Sequence, residues 1–312
     1  MSEWAIQTES LTKHYQQVRA VDGLNLRVPR GAVYGFLGRN GAGKTTTIKL
    51  LLGFARSHAG TARVLGMDVS TQLREILART AFVGENKTLY EHFTPAEHVK
   101  FHRGFYPQWS DAAAANYARD LEIPMGQKFK SLSKGNRTKV WLLLALAQNA
   151  ELMILDEPTT ALDPLTADIF LRSLAEDHAG EGRTIFFSSH HLAEVEQIAD
   201  WVGIIDRGKL LLEARLEDIR NNFRLIVATG NGLPLERQTP VVSALSAANL
   251  CRYVVERDAD AWQSRLRAQG ATILESMPLS LKDVFLELVR KEEPCISGNA
   301  GATLAAPSLA RA

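Results

Sequence analysis

A glycine-rich segment that ends in lysine and threonine is the clearest chemical feature of the sequence. Residues 38–45 read Gly-Arg-Asn-Gly-Ala-Gly-Lys-Thr and match the pattern G-x-x-x-x-G-K-[ST]. The glycines let the main chain curl closely, so that successive N–H groups can point at an anion, and Lys44 adds a positive charge. The sequence therefore predicts a phosphate-binding loop. Its predicted contact residues are Gly38, Asn40, Gly41, Ala42, Gly43, Lys44, Thr45 and Thr46.

Two adjacent carboxylates follow an apolar run later in the chain. Residues 152–155 are Leu-Met-Ile-Leu, and Asp156 and Glu157 come next. In a parallel sheet, ligands bind at the carboxyl ends of the strands. Asp156 could there hold Mg²⁺ together with the Thr45 hydroxyl, and Glu157 could polarise a water molecule that attacks a phosphate. An acid pair after a strand is often only solvated, and it is the phosphate loop that favours the functional interpretation.

Alternating strand and helix patterns would position these residues. Residues 32–37 form an apolar run that predicts a buried strand leading into the loop, and residues 45–52 have helical composition. Thr94, Pro95 and Glu97 predict a helix start with a capping box. Further predicted strands cover 152–155, 184–188 and 202–205, and further predicted helices cover 111–121 and 137–149. This alternation predicts an α/β fold with a mainly parallel sheet covered on both faces.

The pattern changes after about residue 216. Strand-like runs at 223–228 and 252–256 and helix-like runs at 258–269 and 279–290 predict a small α+β unit. It contains no second glycine-rich phosphate loop, so we expect a role in regulation, dimer stability or partner docking. Residues 294–312 are rich in Ala, Gly and Ser and have little to bury, which predicts disorder.

Composition argues against several other classes of protein. The net charge is +1, with no basic block of the kind that binds nucleic acid, so we expect no nucleic-acid partner. The longest apolar stretch, 140–147, is far shorter than the roughly 18 to 20 residues that cross a bilayer. Two isolated cysteines make neither a metal site nor a disulfide framework. The first residues lack the pattern of a secretory signal, and we expect a protein of a reducing compartment.

Three further segments give the sequence a specific resemblance. Residues 131–136, Ser-Leu-Ser-Lys-Gly-Asn, are similar to the signature L-S-G-G-Q of ATP-binding cassette (ABC) proteins, with Lys134 and Asn136 as the departures. Residues 161–163, Ala-Leu-Asp, resemble the D-loop of that family, and Ser189-His190 resembles its switch histidine. Together with the loop and the acid pair, residues 3–215 resemble an ABC ATPase domain, a P-loop NTPase fold.

The resemblance implies roles for individual residues. Glu157 and His190 would be catalytic, although His191 is adjacent and is the alternative switch histidine. Tyr15 would stack on adenine, and Glu85, which stands where the family has glutamine, would be a further Mg²⁺ ligand beside Thr45 and Asp156. Ser133 and Gly135 of one subunit would bind the γ-phosphate of ATP held by a second, and Asp163 would belong to the D-loop.

The resemblance also implies an organisation and an activity. Residues 1–215 would form the cassette, with a helical subdomain at about 86–150, and residues 216–293 the C-terminal α+β unit. The protein would bind ATP and Mg²⁺ as a homodimer or with a paired ABC subunit, and would drive a separate integral membrane permease. A single cassette with a C-terminal unit is most similar to ATPases of ABC-2-type exporters, which implies a cytoplasmic position on the inner face of the cell membrane. The alternatives are a soluble ABC ATPase outside transport and a nucleotide-gated binding module.

We expect Lys44→Ala to abolish tight ATP binding. The loop would lose the cation beside the β- and γ-phosphates, and Arg39, nearer the start of the loop, is not placed to replace it. Titration of the purified variant with nucleotide measures the effect. Wild-type affinity would contradict the assignment of the phosphate loop.

Overall fold

The computed structural model describes residues 3–84, 89–235, 240–247 and 249–290. Glu85, predicted as a metal ligand, and the tail 294–312, predicted to be disordered, lie outside these residues. The strands in chain order are β1 (Trp4–Tyr15), β2 (Val18–Leu24), β3 (Arg27–Pro29), β4 (Val33–Leu37), β5 (Ala59–Val64), β6 (Met67–Asp68), β7 (Thr80–Val83), β8 (Leu152–Asp156), β9 (Thr184–Ser189), β10 (Trp201–Asp206), β11 (Lys209–Arg215), β12 (Arg224–Thr229), β13 (Val241–Ala247), β14 (Leu250–Val255) and β15 (Thr272–Pro278). The helices are α1 (Lys44–Leu51), α2 (Leu73–Ala78), α3 (Pro95–Arg103), α4 (Asp111–Asp120), α5 (Lys134–Leu146), α6 (Pro164–Glu181), α7 (Leu192–Ile198), α8 (Leu216–Asn222), α9 (Ala259–Ala268) and α10 (Leu281–Arg290).

A six-stranded sheet forms the centre of the fold, in the order β11-β10-β4-β9-β8-β7. The strands from β10 to β7 run parallel, and only β11 is antiparallel to its neighbour. In β4, Val33 and Leu37 face one apolar core while Tyr34 and Phe36 face another. Because both faces are buried, these strands read as continuous apolar runs. The predicted α/β fold with a mainly parallel, doubly covered sheet is confirmed.

One core is closed by helices and the other by a second sheet. Buried residues of α5, α6 and α7 pack on the first face, and α1 packs on the second together with an antiparallel sheet. This antiparallel sheet has the order β2-β1-β5-β6, with β3 also paired to β1. The sequence patterns predicted strands before residue 110 but did not separate them into a sheet of their own, because strand pairing depends on tertiary contacts.

Helices α3, α4 and α5 lie between β7 and β8, in the range predicted for the helical subdomain. The predicted helix start at Thr94 is confirmed: its hydroxyl accepts from the N–H of Glu97, and the Glu97 carboxylate accepts from the N–H of Thr94. This capping box satisfies donors that the first turn would otherwise leave unpaired. The N–H and the hydroxyl of Thr94 both donate to the Glu97 carboxylate, and these hydrogen bonds lower the pKa of Glu97.

The C-terminal unit is a four-stranded antiparallel sheet, β13-β14-β12-β15, with α9 packed on one face. The predicted strands at β12 and β14 and the predicted helices α9 and α10 are confirmed. Strands β13 and β15 and helix α8 were missed. Both strands lie at the edges of the sheet, and most side chains of β15 are exposed, so the apolar alternation that marks a half-buried strand is weak there.

The C-terminal unit shares a buried core with the cassette. Leu216 at the start of α8, Phe223 directly after its end and Val284 of α10 belong to the same apolar cluster as Val195 and Ile198 of α7. The boundary predicted near residues 216–222 therefore falls on a helix that packs against both parts. Among the described residues, no helix is both long and apolar enough to cross a membrane.

Glu213 of β11, which is partly buried, connects the central sheet to the antiparallel sheet. Tyr34 is fully buried, and its hydroxyl donates to Glu213 Oε1 over 2.7 Å. The N–H of Arg27 in β3 donates to the same oxygen over 3.0 Å. Burial raises the pKa of Glu213, because desolvation penalises its charged form more than these hydrogen bonds favour it.

We expect Glu213→Gln to stabilise the protein relative to the wild type as the pH rises. A carboxyl group with a raised folded-state pKa stabilises the fold below its unfolded pKa, and this contribution is lost as the pH rises through the folded value. Glutamine keeps an oxygen acceptor for Tyr34 and Arg27 but does not titrate. Thermal unfolding at pH 5 and pH 8 should show a larger melting-temperature advantage of the variant at pH 8.

The control for this prediction is Glu176→Gln, which removes an exposed carboxylate in the middle of α6. It should show no comparable change between the two pH values. A Glu213→Gln advantage that is constant or shrinks towards pH 8 would contradict the proposed cost of burying Glu213.

Candidate functional site

The predicted phosphate loop joins β4 to α1 at the carboxyl edge of the central sheet. Gly43 has a φ of 112°, and a Cβ atom on it would lie 2.4 Å from the carbonyl oxygen of Ala20. A Cβ atom on Gly38 would lie 2.5 Å from the carbonyl oxygen of Ile205. A Cβ atom so close to a carbonyl oxygen would clash, so only glycine can occupy these two positions. The loop is therefore tightly wrapped by the neighbouring chain, and helix α1 begins at Lys44.

Lys44, Glu157 and His190 form a continuous line of polar contacts. The Lys44 Nζ atom donates to the carbonyl oxygen of Gly38 over 2.6 Å and lies 3.1 Å from Glu157 Oε1. The other carboxylate oxygen, Oε2, lies 2.7 Å from His190 Nδ1. Only 6% of the Lys44 side chain and 14% of the Glu157 side chain are exposed. The structure thus brings together three residues that are far apart in the sequence.

Ser188 holds the two carboxylate-bearing residues at the end of β8. Its hydroxyl donates to Asp156 Oδ1 over 2.7 Å and accepts from the N–H of Glu157 over 3.0 Å. Glu157 has a φ of 50°, a conformation that is uncommon for residues other than glycine. Sequence reasoning missed Ser188. Asp156 and Ser188 are directly paired across β8 and β9, a register that the sequence does not show.

The side chains at this edge suit a hard divalent cation. Asp156 is buried, with 2% of its surface exposed, and it presents carboxylate oxygen at the carboxyl end of β8. Thr45 is the second residue of that helix and is half-buried. Carboxylate and hydroxyl oxygens are the ligands that Mg²⁺ prefers, and Mg²⁺ takes few of them when phosphate oxygens complete its shell. The donor set therefore fits Mg²⁺.

Of the two adjacent histidines, His190 is the one whose ring meets Glu157. His191 is exposed, and its N–H donates to the hydroxyl of Ser189 over 2.9 Å. Tyr15 lies at the end of β1 with 47% of its surface exposed, and Lys13 Nζ is 5.2 Å from the centre of its ring. An exposed aromatic face of this kind can stack on a base.

The signature-like residues lie at the start of α5. Ser133 caps this helix, since its hydroxyl accepts from the N–H of Asn136 over 3.2 Å. A Cβ atom on Gly135 would lie 3.2 Å from the carbonyl oxygen of Ala161, so the helix start approaches the D-loop-like turn closely. Asp163 accepts from the N–H and the hydroxyl of Thr166, and these hydrogen bonds lower the pKa of Asp163.

Known proteins resemble this chain over most of its length. The profile of the ABC transporter family matches residues 21–160. The bacitracin transport ATP-binding protein BcrA of Enterococcus faecalis is 34% identical over 225 residues, which cover 71% of this chain and 73% of that protein. The chain belongs to the ABC transporter family. The daunorubicin/doxorubicin resistance ATP-binding protein DrrA of Streptomyces peucetius is 34% identical over 228 residues, which cover 70% of this chain and 68% of that protein.

Another relative of this ABC protein extends over the C-terminal unit. The Nod factor export ATP-binding protein I of Paraburkholderia xenovorans is 31% identical over 308 residues, which cover 94% of this chain and 99% of that protein. A solved ATP-binding subunit of an ABC transporter superposes with a TM-score of 0.63 at 28% identity, covering 69% of this chain and 92% of that one. The fold is that of an ABC cassette, and the protein is an ATP-binding ATPase.

A dimeric ATP-binding cassette in a post-hydrolysis state, bound to ADP and Pi, has the same fold. Its TM-score is 0.62 at 20% identity, and the match covers 68% of this chain and 98% of that one.

We expect Glu157→Gln to bind ATP normally but to hydrolyse it slowly. Glutamine preserves the size of the side chain, but it cannot act as a base, and loss of a positioned base lowers rates about 10²- to 10⁴-fold. Steady-state ATPase assays measure the rate, and size-exclusion chromatography with ATP should show accumulation of a dimer. Lys44→Ala, which should not bind ATP, is the control that stays monomeric. Normal hydrolysis by Glu157→Gln would mean that another group positions the water.

Proposed function

We propose that this ABC ATPase is the ATP-hydrolysing subunit of an exporter and drives a separate integral membrane permease. The observation that carries the hydrolytic role is the line of Lys44, Glu157 and His190 at the carboxyl edge of the sheet. A cation, a carboxylate and an imidazole are placed together where phosphate is expected to bind. A binding module without hydrolysis would not need the carboxylate and the imidazole there.

The proposed chemistry assigns one task to each residue. The loop N–H groups and Lys44 hold the phosphates of ATP, while Thr45 and Asp156 hold Mg²⁺, with Glu85 as a further proposed ligand. Mg²⁺ neutralises negative charge on the phosphate oxygens when it is bound. Glu157 accepts a hydrogen bond from the attacking water, and His190 orients Glu157 and contacts the γ-phosphate as charge develops.

The proposed active unit contains two ABC subunits, either a homodimer or this chain with a paired subunit. Ser133 and Gly135 would approach the γ-phosphate bound to the other subunit. The start of α5 supports this role, because backbone N–H groups at a helix N-terminus favour an anion. Gly135 also lies against the turn that carries Asp163, so signature and D-loop would act as one surface. Hydrolysis would remove the bridging phosphate and let the subunits separate.

An exposed aromatic patch supports docking to another protein. We define the patch as Tyr90, Phe101 and Phe105, which are 58%, 38% and 65% exposed. The ring centres of Tyr90 and Phe101 are 5.4 Å apart, and those of Phe101 and Phe105 are 5.0 Å apart. Contiguous exposed apolar side chains mark interaction sites more often than single ones do. The resemblance to ABC ATPases places the permease contact at the segment that contains Glu85, and the patch follows that segment in the sequence.

The relatives support export as the direction of transport. One relative is named for bacitracin transport, a second for daunorubicin/doxorubicin resistance, and a third for Nod factor export. They do not favour an ABC ATPase outside transport. Pairing with an export permease would place this chain on the cytoplasmic, inner face of the cell membrane.

The test is association with the permease encoded by a neighbouring reading frame with about six apolar spans, each of the length that a bilayer requires. We expect the wild-type protein to co-purify with that permease from detergent-solubilised membranes. The double variant Tyr90→Ser/Phe105→Ser should lose this association and keep its basal ATPase rate. The control is Leu274→Ser, which removes an exposed apolar side chain from β15.

Two outcomes would contradict separate parts of this proposal. A wild-type protein that associates with no membrane permease would contradict the transport function. A patch variant that associates as well as the wild type does would leave transport standing and would remove the aromatic patch from the docking site.

A further inference from the structure

Glu194, in the first turn of α7, connects two loops of the site. Its Oε1 atom accepts a hydrogen bond from the Thr159 hydroxyl over 2.7 Å, and its Oε2 atom accepts one from the Ser189 hydroxyl over 2.7 Å. Thr159 is two residues after Glu157, and Ser189 directly precedes His190. One carboxylate therefore joins the segment that carries the proposed base to the segment that carries the switch histidine.

The Thr159 side of this bridge controls the turn behind Glu157. Thr159 is buried, with 4% of its surface exposed. Its carbonyl oxygen accepts from the N–H of Leu162 over 2.8 Å, which closes the turn leading to Asp163. The next residue, Thr160, donates its hydroxyl to Glu157 Oε2 over 3.4 Å. A displacement of Thr159 would thus be passed to the carboxylate of Glu157.

The Ser189 side controls the loop that holds His190. Ser189 is fully buried. Its hydroxyl accepts from the N–H of His191 over 2.9 Å while it donates to Glu194. Its carbonyl oxygen accepts from the N–H of Gly38, at the start of the phosphate loop, over 3.3 Å. Ser189 therefore contacts the phosphate loop, the loop that holds His190, and Glu194.

We propose that Glu194 is a positioning residue for ATP hydrolysis, which holds Glu157 and His190 at the separation that catalysis requires. This inference rests on the proposed roles of those two residues. Hydrogen bonds from hydroxyls to a carboxylate are short and stronger than those between neutral groups. Without Glu194, two buried hydroxyls would lose a charged acceptor, and such groups are expensive to leave unpaired.

A carboxylate in a first helical turn is commonly present only because it favours the helix dipole. The contacts of Glu194 point to more than this. A capping side chain accepts from backbone N–H groups of its own helix, whereas Glu194 accepts from two side chains that belong to other segments. The backbone of Glu194 is held in place by α7, because the next residue, Val195, is fully buried in the apolar core that α5, α6 and α7 form with the central sheet.

The test compares Glu194→Ala and Glu194→Gln with Glu196→Gln, a matched control for charge on the same helix. We expect Glu194→Ala to lower kcat about 10- to 100-fold, the effect of slight misplacement of catalytic groups. The KM for ATP and the affinity for ATP in titration should stay within about 2-fold of wild type, because Lys44 and the loop are unchanged. Glu194→Gln, which keeps one oxygen acceptor, should fall between the alanine variant and wild type, and Glu196→Gln should match wild type.

A double-mutant comparison separates positioning from general stability. In the Glu157→Gln background, Glu194→Ala should lower kcat by much less than it does alone, because groups that act as a unit have non-additive effects. If Glu194→Ala does not fold, Thr159→Val tests the same bridge by removing one of its two hydrogen bonds, with a smaller loss of kcat expected.

The outcomes distinguish the inference from the site assignment. Wild-type kcat in Glu194→Ala, or a loss of kcat that is equal in both backgrounds, overturns the role of Glu194. A loss that tracks weaker ATP binding and a lower melting temperature assigns Glu194 to structure alone and also overturns it. Wild-type hydrolysis by Glu157→Gln instead overturns the roles proposed for Glu157 and His190.

Discussion

The ion pair between Lys44 and Glu157 is the contact around which the site is arranged. Both side chains are largely buried, and two buried charges are favourable only when each also has further hydrogen bonds. Lys44 has the carbonyl oxygen of Gly38, and Glu157 has His190. These contacts require the phosphate loop, the end of β8 and the end of β9 to meet at one point. The central sheet provides that point, because β4, β9 and β8 are adjacent and parallel.

The parallel sheet explains both the stability of this arrangement and its location. Its strands are buried on both faces, so their side chains are apolar until the strand ends. Polar groups then lie together at the carboxyl edge. There the pairing of Asp156 with Ser188 lets the Ser188 hydroxyl donate to the Asp156 carboxylate and accept from the N–H of Glu157. Glu157 adopts a left-handed backbone conformation at the same place, and local strain of this kind is common at functional sites.

Helix α7 connects this edge to the C-terminal unit. It follows the loop of His190, it carries Glu194, and its buried residues Val195 and Ile198 share a core with α8 and α10. The C-terminal unit is thus packed against the element that follows the switch loop. Every residue of the candidate site precedes the unit in the sequence, and regulation, dimer stability or partner docking stays a prediction for its role.

The sequence by itself determined the class of fold, the glycine-rich loop before α1, the acid pair and the strands that carry them. These features are local: the glycine spacing, the apolar runs of strands buried on both faces, and the capping box at Thr94 can each be recognised within a few residues. Ser188 and Glu194 could not be recognised in this way, because a serine at a strand end or a glutamate in a first helical turn is ordinary. Their importance comes from the register of β8 with β9 and from the approach of two loops to α7. Only the tertiary structure decided the contacts that give them this importance, since Asp156 and Ser188 are 32 residues apart in the chain and Thr159 and Glu194 are 35 residues apart.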